Sequence, residues 1–151
     1  MDSGEKMKAL LQRVSQASVS VNDENVANIK QGLLILLGVE KMDTLSEAKY
    51  LAHKASALRI FEDENGKMNL SVKDVRGDIL VVSQFTLAGN TSQGNRPGFD
   101  NAAKPDVANH IYQCFCDYIR DEGLSVQTGI FQADMQVSLI NDGPVTFMLT
   151  K

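Results

Sequence analysis

Gly32-Leu33-Leu34-Ile35-Leu36-Leu37-Gly38-Val39 is the stretch on which the fold turns. It is a continuous apolar run punctuated by glycines, too short for a typical helix and far too short to span a bilayer. The reading is a strand buried on both faces. Upstream, Ala9-Leu10-Leu11-Gln12-Arg13-Val14 and Ala17-Ser18-Val19-Ser20-Val21 alternate apolar and polar residues at period two, as two half-buried strands do. Downstream, Thr44-Leu45-Ser46-Glu47 matches a capping box. Leu45, Ala48, Leu51, Ala52, Ala55 and Leu58 then recur at helical spacing, predicting an amphipathic helix to about Leu58.

Farther along, Asn65-Gly66 is a turn signal within a polar stretch. Residues 78–88 read as one long strand, Ile79-Leu80-Val81-Val82 running directly into Ser83-Gln84-Phe85-Thr86. Residues 89–98 contain three glycines and Pro97 and read as a mobile loop. A second helix is expected from about Pro105, with Val107, Ile111, Cys114, Phe115, Tyr118 and Ile119 as its apolar face and Gly123 at its end. Three strands close the chain, at 125–130, 135–140 and 145–150. The pattern is α+β: antiparallel or mixed sheets covered by two main helices, layered β/β/α, in a single domain of residues 1–151.

Composition narrows the function. With 151 residues, 43% of them hydrophobic and 23% charged, the chain has the make-up of an ordinary soluble domain. Met1-Asp2-Ser3-Gly4-Glu5-Lys6 carries no signal pattern, so no membrane association and a cytoplasmic location are expected. Cys114 and Cys116 are spaced for neither a disulfide nor a metal clamp. The 19 acidic and 15 basic residues leave a net charge of −4, which argues mildly against a nucleic-acid partner.

The usual catalytic equipment is sparse. His53 and His110 both fall within expected helices and read as surface residues. No metal-binding spacing and no phosphate-loop ending occur, so neither metal nor cofactor is expected. Glu62-Asp63-Glu64 reads as a solvated acidic turn. Two polar segments beside apolar strands remain. Ser83-Gln84-Phe85-Thr86 sets two hydroxyls and an amide at the end of a run that should be buried, which marks either a structural network or a site. Thr86 is a candidate nucleophile without an adjacent base. Asn141-Asp142-Gly143-Pro144-Val145-Thr146 reads by composition as a turn.

At these two segments the chain resembles the D-aminoacyl-tRNA deacylases of the bacterial and eukaryotic type, and the likeness spans nearly its whole length. It is carried by Gln12-Arg13-Val14, Ala17-Ser18-Val19, Gly38-Val39, Arg59-Ile60-Phe61 and Lys67-Met68-Asn69-Leu70-Ser71. It continues through Val81-Val82-Ser83-Gln84-Phe85-Thr86-Leu87, Ala133-Asp134-Met135-Gln136-Val137 and Asn141-Asp142-Gly143-Pro144-Val145-Thr146. The resemblance implies a homodimer, barrel-like across its interface, that hydrolyses D-aminoacyl-tRNA and glycyl-tRNA. It implies a cis peptide between Gly143 and Pro144, whose carbonyls reach the partner's pocket and exclude L-aminoacyl groups. Arg13 is implied to support that element. Ser83, Gln84, Phe85 and Thr86 are implied to form the wall beside the ester, and Phe131, Met135 and Ala108 to hold the terminal adenosine.

Three positions depart from the family pattern: Ala88-Gly89 follows Thr-Leu where an aromatic is common, Ser92-Gln93-Gly94-Asn95 replaces a basic run, and Gln132 stands for a glycine. Lys6, Lys8, Arg96 and Lys104 are left as the cations for tRNA contact. The alternatives are a catalytically silent dimeric RNA-binding protein of the same fold, and a general esterase using Thr86 as nucleophile.

Overall fold

The structure, a computed structural model, describes residues 6–151; the expected absence of a signal pattern falls mainly on residues 1–5, outside the described residues. The apolar run is strand β3 (Gly32–Gly38), buried along nearly its whole length as expected. It lies between β1 (Lys8–Val21), to which it is antiparallel, and β6 (Asp78–Ser83), to which it is parallel. The sheet is mixed. Its order is β2 (Glu24–Ile29), β1, β3, β6 and β7 (Val126–Thr128), with β8 (Gln136–Thr150) on the other edge of β1. Phe61–Glu62 and Met68–Leu70 form a separate two-stranded hairpin, β4 and β5, around the expected Asn65-Gly66 turn.

The two expected N-terminal strands are one bent strand. Residues 8–14 of β1 pair with β3 and residues 17–21 pair with β2, while β8 follows its other edge. The ladder with β8 shifts register on both sides of Val14, so the parity of buried residues changes there. Ala9 and Leu11 face the helices; Val14, Ala17 and Val19 face a second apolar cluster with Leu34, Leu80 and Val82. Two layers of strands thus back onto each other through β1, and the helices cover the outer face of one. Asn22 and Asp23, both at positive φ, close the β1–β2 hairpin as a tight two-residue turn requires.

Helix α1 (Leu45–Ala57) carries the full capping box: Thr44 accepts from Ser46 N–H, and Glu47 accepts from Thr44 N–H. The bond from Thr44 N–H, followed by one from the Thr44 hydroxyl, holds the Glu47 carboxyl below its ordinary range. Helix α2 (Pro105–Asp121) starts at its proline, and Gly123 follows its end at positive φ. Its buried stripe is rotated from the expected one. Ala108, Ile111, Tyr112, Phe115, Cys116 and Ile119 face the core, whereas Val107 is exposed and Cys114 half-exposed. Tyr112 turns inward because its hydroxyl can donate to the Val81 carbonyl, at 3.3 Å.

Two further expectations fail at the polar segments. β6 ends at Ser83, and Phe85–Ala88 forms a single 3-10 turn in place of more strand. Gln84 N–H still donates to Leu37 at 2.8 Å, but Leu87 N–H folds back onto the Gln84 carbonyl at 3.2 Å. The last two expected strands are one, with Asn141 to Thr146 carried inside β8 as a bulge.

Candidate active site

The 3-10 turn after β6 opens one wall of a hollow of about 500 Å³. Ser83, Gln84 and Phe85 line that wall, Ala108 comes from the first turn of α2, and Phe131 and Met135 from the loop after β7. Residues distant in sequence therefore meet at one hollow. Gly129 N–H donates to the Val81 carbonyl at 3.1 Å, fastening the β7–β8 loop to the strand that carries Ser83. Phe131 rests on Tyr112, with ring centroids 6.0 Å apart, so the buried tyrosine backs the aromatic lining. Burial pushes the Tyr112 phenol up to about 12, which keeps it a neutral donor.

Thr86 lies beside the hollow, exposed, with its Oγ1 accepting from the Gln84 side-chain amide. The histidines are engaged elsewhere: His53 meets Glu122 at 3.0 Å, and His110 lies 3.9 Å from the Cys114 sulfur. The Thr86 hydroxyl is thus tied to Gln84, and among the described residues neither histidine is positioned to take its proton.

Opposite the β8 bulge the chain has a single residue. Gln12 pairs with Thr146 and Val14 with Asn141, so Arg13 alone faces residues 142–145. Arg13 is buried; its Nε donates to the Asp142 carbonyl at 2.9 Å and one terminal nitrogen donates to the Ile60 carbonyl at 2.8 Å. Asn141 closes the bulge from within, accepting from Val145 N–H at 2.7 Å and donating to Thr146 Oγ1 at 2.8 Å. The Gly143–Pro144 peptide is cis, and Gly143 has φ +147°. A Cβ added at Gly143 would lie 2.6 Å from a Val145 methyl. Gly143 and Pro144 are exposed, and neither lines the hollow of its own chain.

The lining also includes Val39, Pro105 and Gln132, and Ala102 and Ala103, which the sequence did not mark. Ala102 and Ala103 are placed by an antiparallel run in which Ala103 N–H donates to Val39 and Lys41 N–H to Asn101. Small residues just before a helix-starting proline are the only signal they carried. Gln132 sits at φ +65°, the left-handed region that glycine enters without steric cost, which explains a family glycine there. Of the expected cations, Lys8 is paired with the buried Glu40, while Lys6, Arg96 and Lys104 are exposed. A larger groove of about 660 Å³, between β1, β2 and β8, holds none of the expected site residues.

A β/β/α fold with a mostly apolar hollow at a strand end, edged by the Ser83 hydroxyl and the Gln84 amide, has the form of a small-ligand pocket. A family profile described as D-Tyr-tRNA(Tyr) deacylase matches residues 10–150. A D-aminoacyl-tRNA deacylase of Geotalea daltonii is 61% identical over 143 residues, covering 95% of each chain. One from Colwellia psychrerythraea is 58% identical over 144 residues, covering 95% of this chain and 99% of the relative. Among solved structures, the c-Myc DNA unwinding element binding protein superposes with a TM-score of 0.89 at 42% identity, over 94% of this chain and 97% of that one. A probable eukaryotic D-amino acid tRNA deacylase shares the fold, with a TM-score of 0.82 at 20% identity. The chain belongs to the D-Tyr-tRNA(Tyr) deacylase family.

Proposed function

We propose that this protein, a D-aminoacyl-tRNA deacylase, hydrolyses the ester of D-aminoacyl-tRNA and of glycyl-tRNA in translation quality control, with residues 1–151 acting as one domain. Water adds to the ester carbonyl, the bond to the ribose oxygen breaks, and free amino acid and tRNA leave. The observation that carries the site assignment is the convergence of Ser83, Gln84 and Phe85 with Ala108, Phe131 and Met135 on one hollow. Phe131 and Met135 supply an apolar surface for the terminal adenine, and the 3-10 turn supplies polar groups at the ester.

Thr86 acts by orienting Gln84, and the substrate's own 2′-hydroxyl assists the attack. This division of labour is supported by the Gln84–Thr86 hydrogen bond and by the histidines' distant partners. Stereochemical selection is assigned to the carbonyls of Gly143 and Pro144, held out by Arg13 toward the hollow of a second copy. Its support is that the bulge is exposed, braced from behind, and absent from the lining of its own chain's hollow. A homodimer follows from that reading, and a cytoplasmic location accords with the substrate.

The test is deacylation of D-Tyr-tRNA beside L-Tyr-tRNA, with the mass of the protein in solution measured alongside. Rapid loss of the D ester alone by a dimer is the expected result. Loss of both esters points to a general esterase, and loss of neither to a silent RNA-binding protein. A monomer with full selectivity removes the filter from the partner's pocket.

A further inference from the structure

Beside the pocket, residues 90–98 make a short finger. Asn90 and Gly98 exchange backbone hydrogen bonds at 2.7 and 2.8 Å, which close its base. A second hollow of about 310 Å³ lies along it, lined by Asn90, Gln93, Arg96, Asp100 and Asn101. This lining differs in kind from the first: amides, one guanidinium and one carboxylate, with no aliphatic side chain.

Phe99 stands between the two hollows. Its sequence neighbours Gly98 and Asp100 line the second, while Ala102 and Ala103 line the first. Its ring packs on Phe85, a lining residue of the first hollow, with centroids 5.0 Å apart and planes inclined at 57°. The ring also closes on Gly89, where an added Cβ would lie 3.0 Å from it. The missing side chain at Gly89 is what admits this ring. Even so, Phe85 remains 58% exposed and Phe99 37% exposed. Two adjoining aromatic rings left partly in water, between an apolar pocket and a polar one, form a stacking surface for single-stranded nucleic acid.

We infer that the finger hollow and the Phe85–Phe99 rings form a subsite for the nucleotide that precedes the terminal adenosine of the tRNA. The inference rests on the deacylase reading, which places the terminal adenosine in the first hollow. The next base stacks on the Phe99 ring, its polar edge meets the amides and Asp100, and Arg96 faces the linking phosphate. Such a subsite also accounts for tRNA binding by an acidic chain, since stacking and edge contacts do not require a broad cationic face. The lost basic run at residues 92–95 leaves in its place side chains suited to base edges.

The experiment compares two small substrates, the D-phenylalanyl ester of adenosine and that of the dinucleotide cytidylyl-adenosine. The added cytidine is expected to raise kcat/KM about tenfold, mainly through KM. In Phe99→Ala the ratio between the two substrates falls toward one, and Phe99→Tyr restores it. Because Phe99→Ala also loosens Phe85, Gln93→Ala with Arg96→Ala serves as a second variant that leaves the rings in place; it is expected to lower the same ratio. An equal rate for both esters with the unaltered protein overturns the subsite alone. A cytidine gain that survives both variants also overturns it. Hydrolysis of neither ester overturns the deacylase reading together with the subsite.

Discussion

Two strand interruptions serve this molecule in opposite ways. After Ser83 the strand ends, and a 3-10 turn brings polar side chains to the edge of a hollow. At Asn141 the strand continues, and the interruption is taken up as a bulge braced by a buried arginine. The first region offers side chains and keeps a half-exposed, loosely bonded surface. The second is fixed from behind by Arg13 and from within by Asn141. Under the proposed reading, the region that touches the substrate can tolerate slack, and the region that excludes the wrong one cannot.

That contrast is most directly broken at Arg13. Arg13→Ala removes the donors to Asp142 and Ile60 and leaves a buried void, so unfolding in urea should show a loss of about 3 kcal/mol. The same variant should lose discrimination between D- and L-Tyr-tRNA before it loses hydrolysis. Gly143→Ala is next. Its φ of +147° and the 2.6 Å approach to Val145 force the bulge to move, at about 2 kcal/mol by the same measurement. The D-to-L rate ratio should fall at least about tenfold, or 1.4 kcal/mol of exclusion; an unchanged ratio would remove Gly143 from the filter.

The pocket side responds to pH instead. Asp43 accepts from Glu40 N–H at 2.6 Å, beside the run that positions Ala102. Burial first, then the neighbouring Glu40 and Glu47, push its carboxyl up to about 6. A folded-state pKa above the unfolded one means stability is greatest in acid and declines as pH rises through that value. Asp43→Asn should therefore stabilise by about 1–2 kcal/mol at pH 7.5, with no difference left near pH 3.5 in thermal melts. Thr86→Ala should matter least. Losing one exposed hydrogen bond costs under about 1 kcal/mol, and most D-Tyr-tRNA turnover should persist. An inert Thr86→Ala with a trappable acyl adduct on the unaltered protein would restore the nucleophile.

The two interruptions were also unequally legible. β3, the capping box of α1, the proline start of α2 and the Asn65-Gly66 turn were read because local chemistry decides them. The bend in β1 was not, since it depends on a register shift against a strand more than a hundred residues away. The rotated face of α2 follows from a buried tyrosine whose hydroxyl finds the Val81 carbonyl, a partner that periodicity cannot reveal. Asn141 to Thr146 has turn composition, and only the pairing of its flanks with Gln12 and Val14 turns it into a bulge. Ser83 to Thr86 was visible as misplaced polarity, although its chemistry waited on Phe131 and Met135 arriving from elsewhere.

The pairing of the first long strand with the last has a consequence for the order of assembly. Residues 8–20 cannot complete their ladder until residues 136–150 have been synthesised. Closure of so long a loop carries an entropic cost that slows folding. The Arg13 brace and the bulge that it holds therefore form together, from strands more than a hundred residues apart, once both have been synthesised. A chain that lacks β8 lacks the braced bulge, so the proposed filter arrives only with that strand.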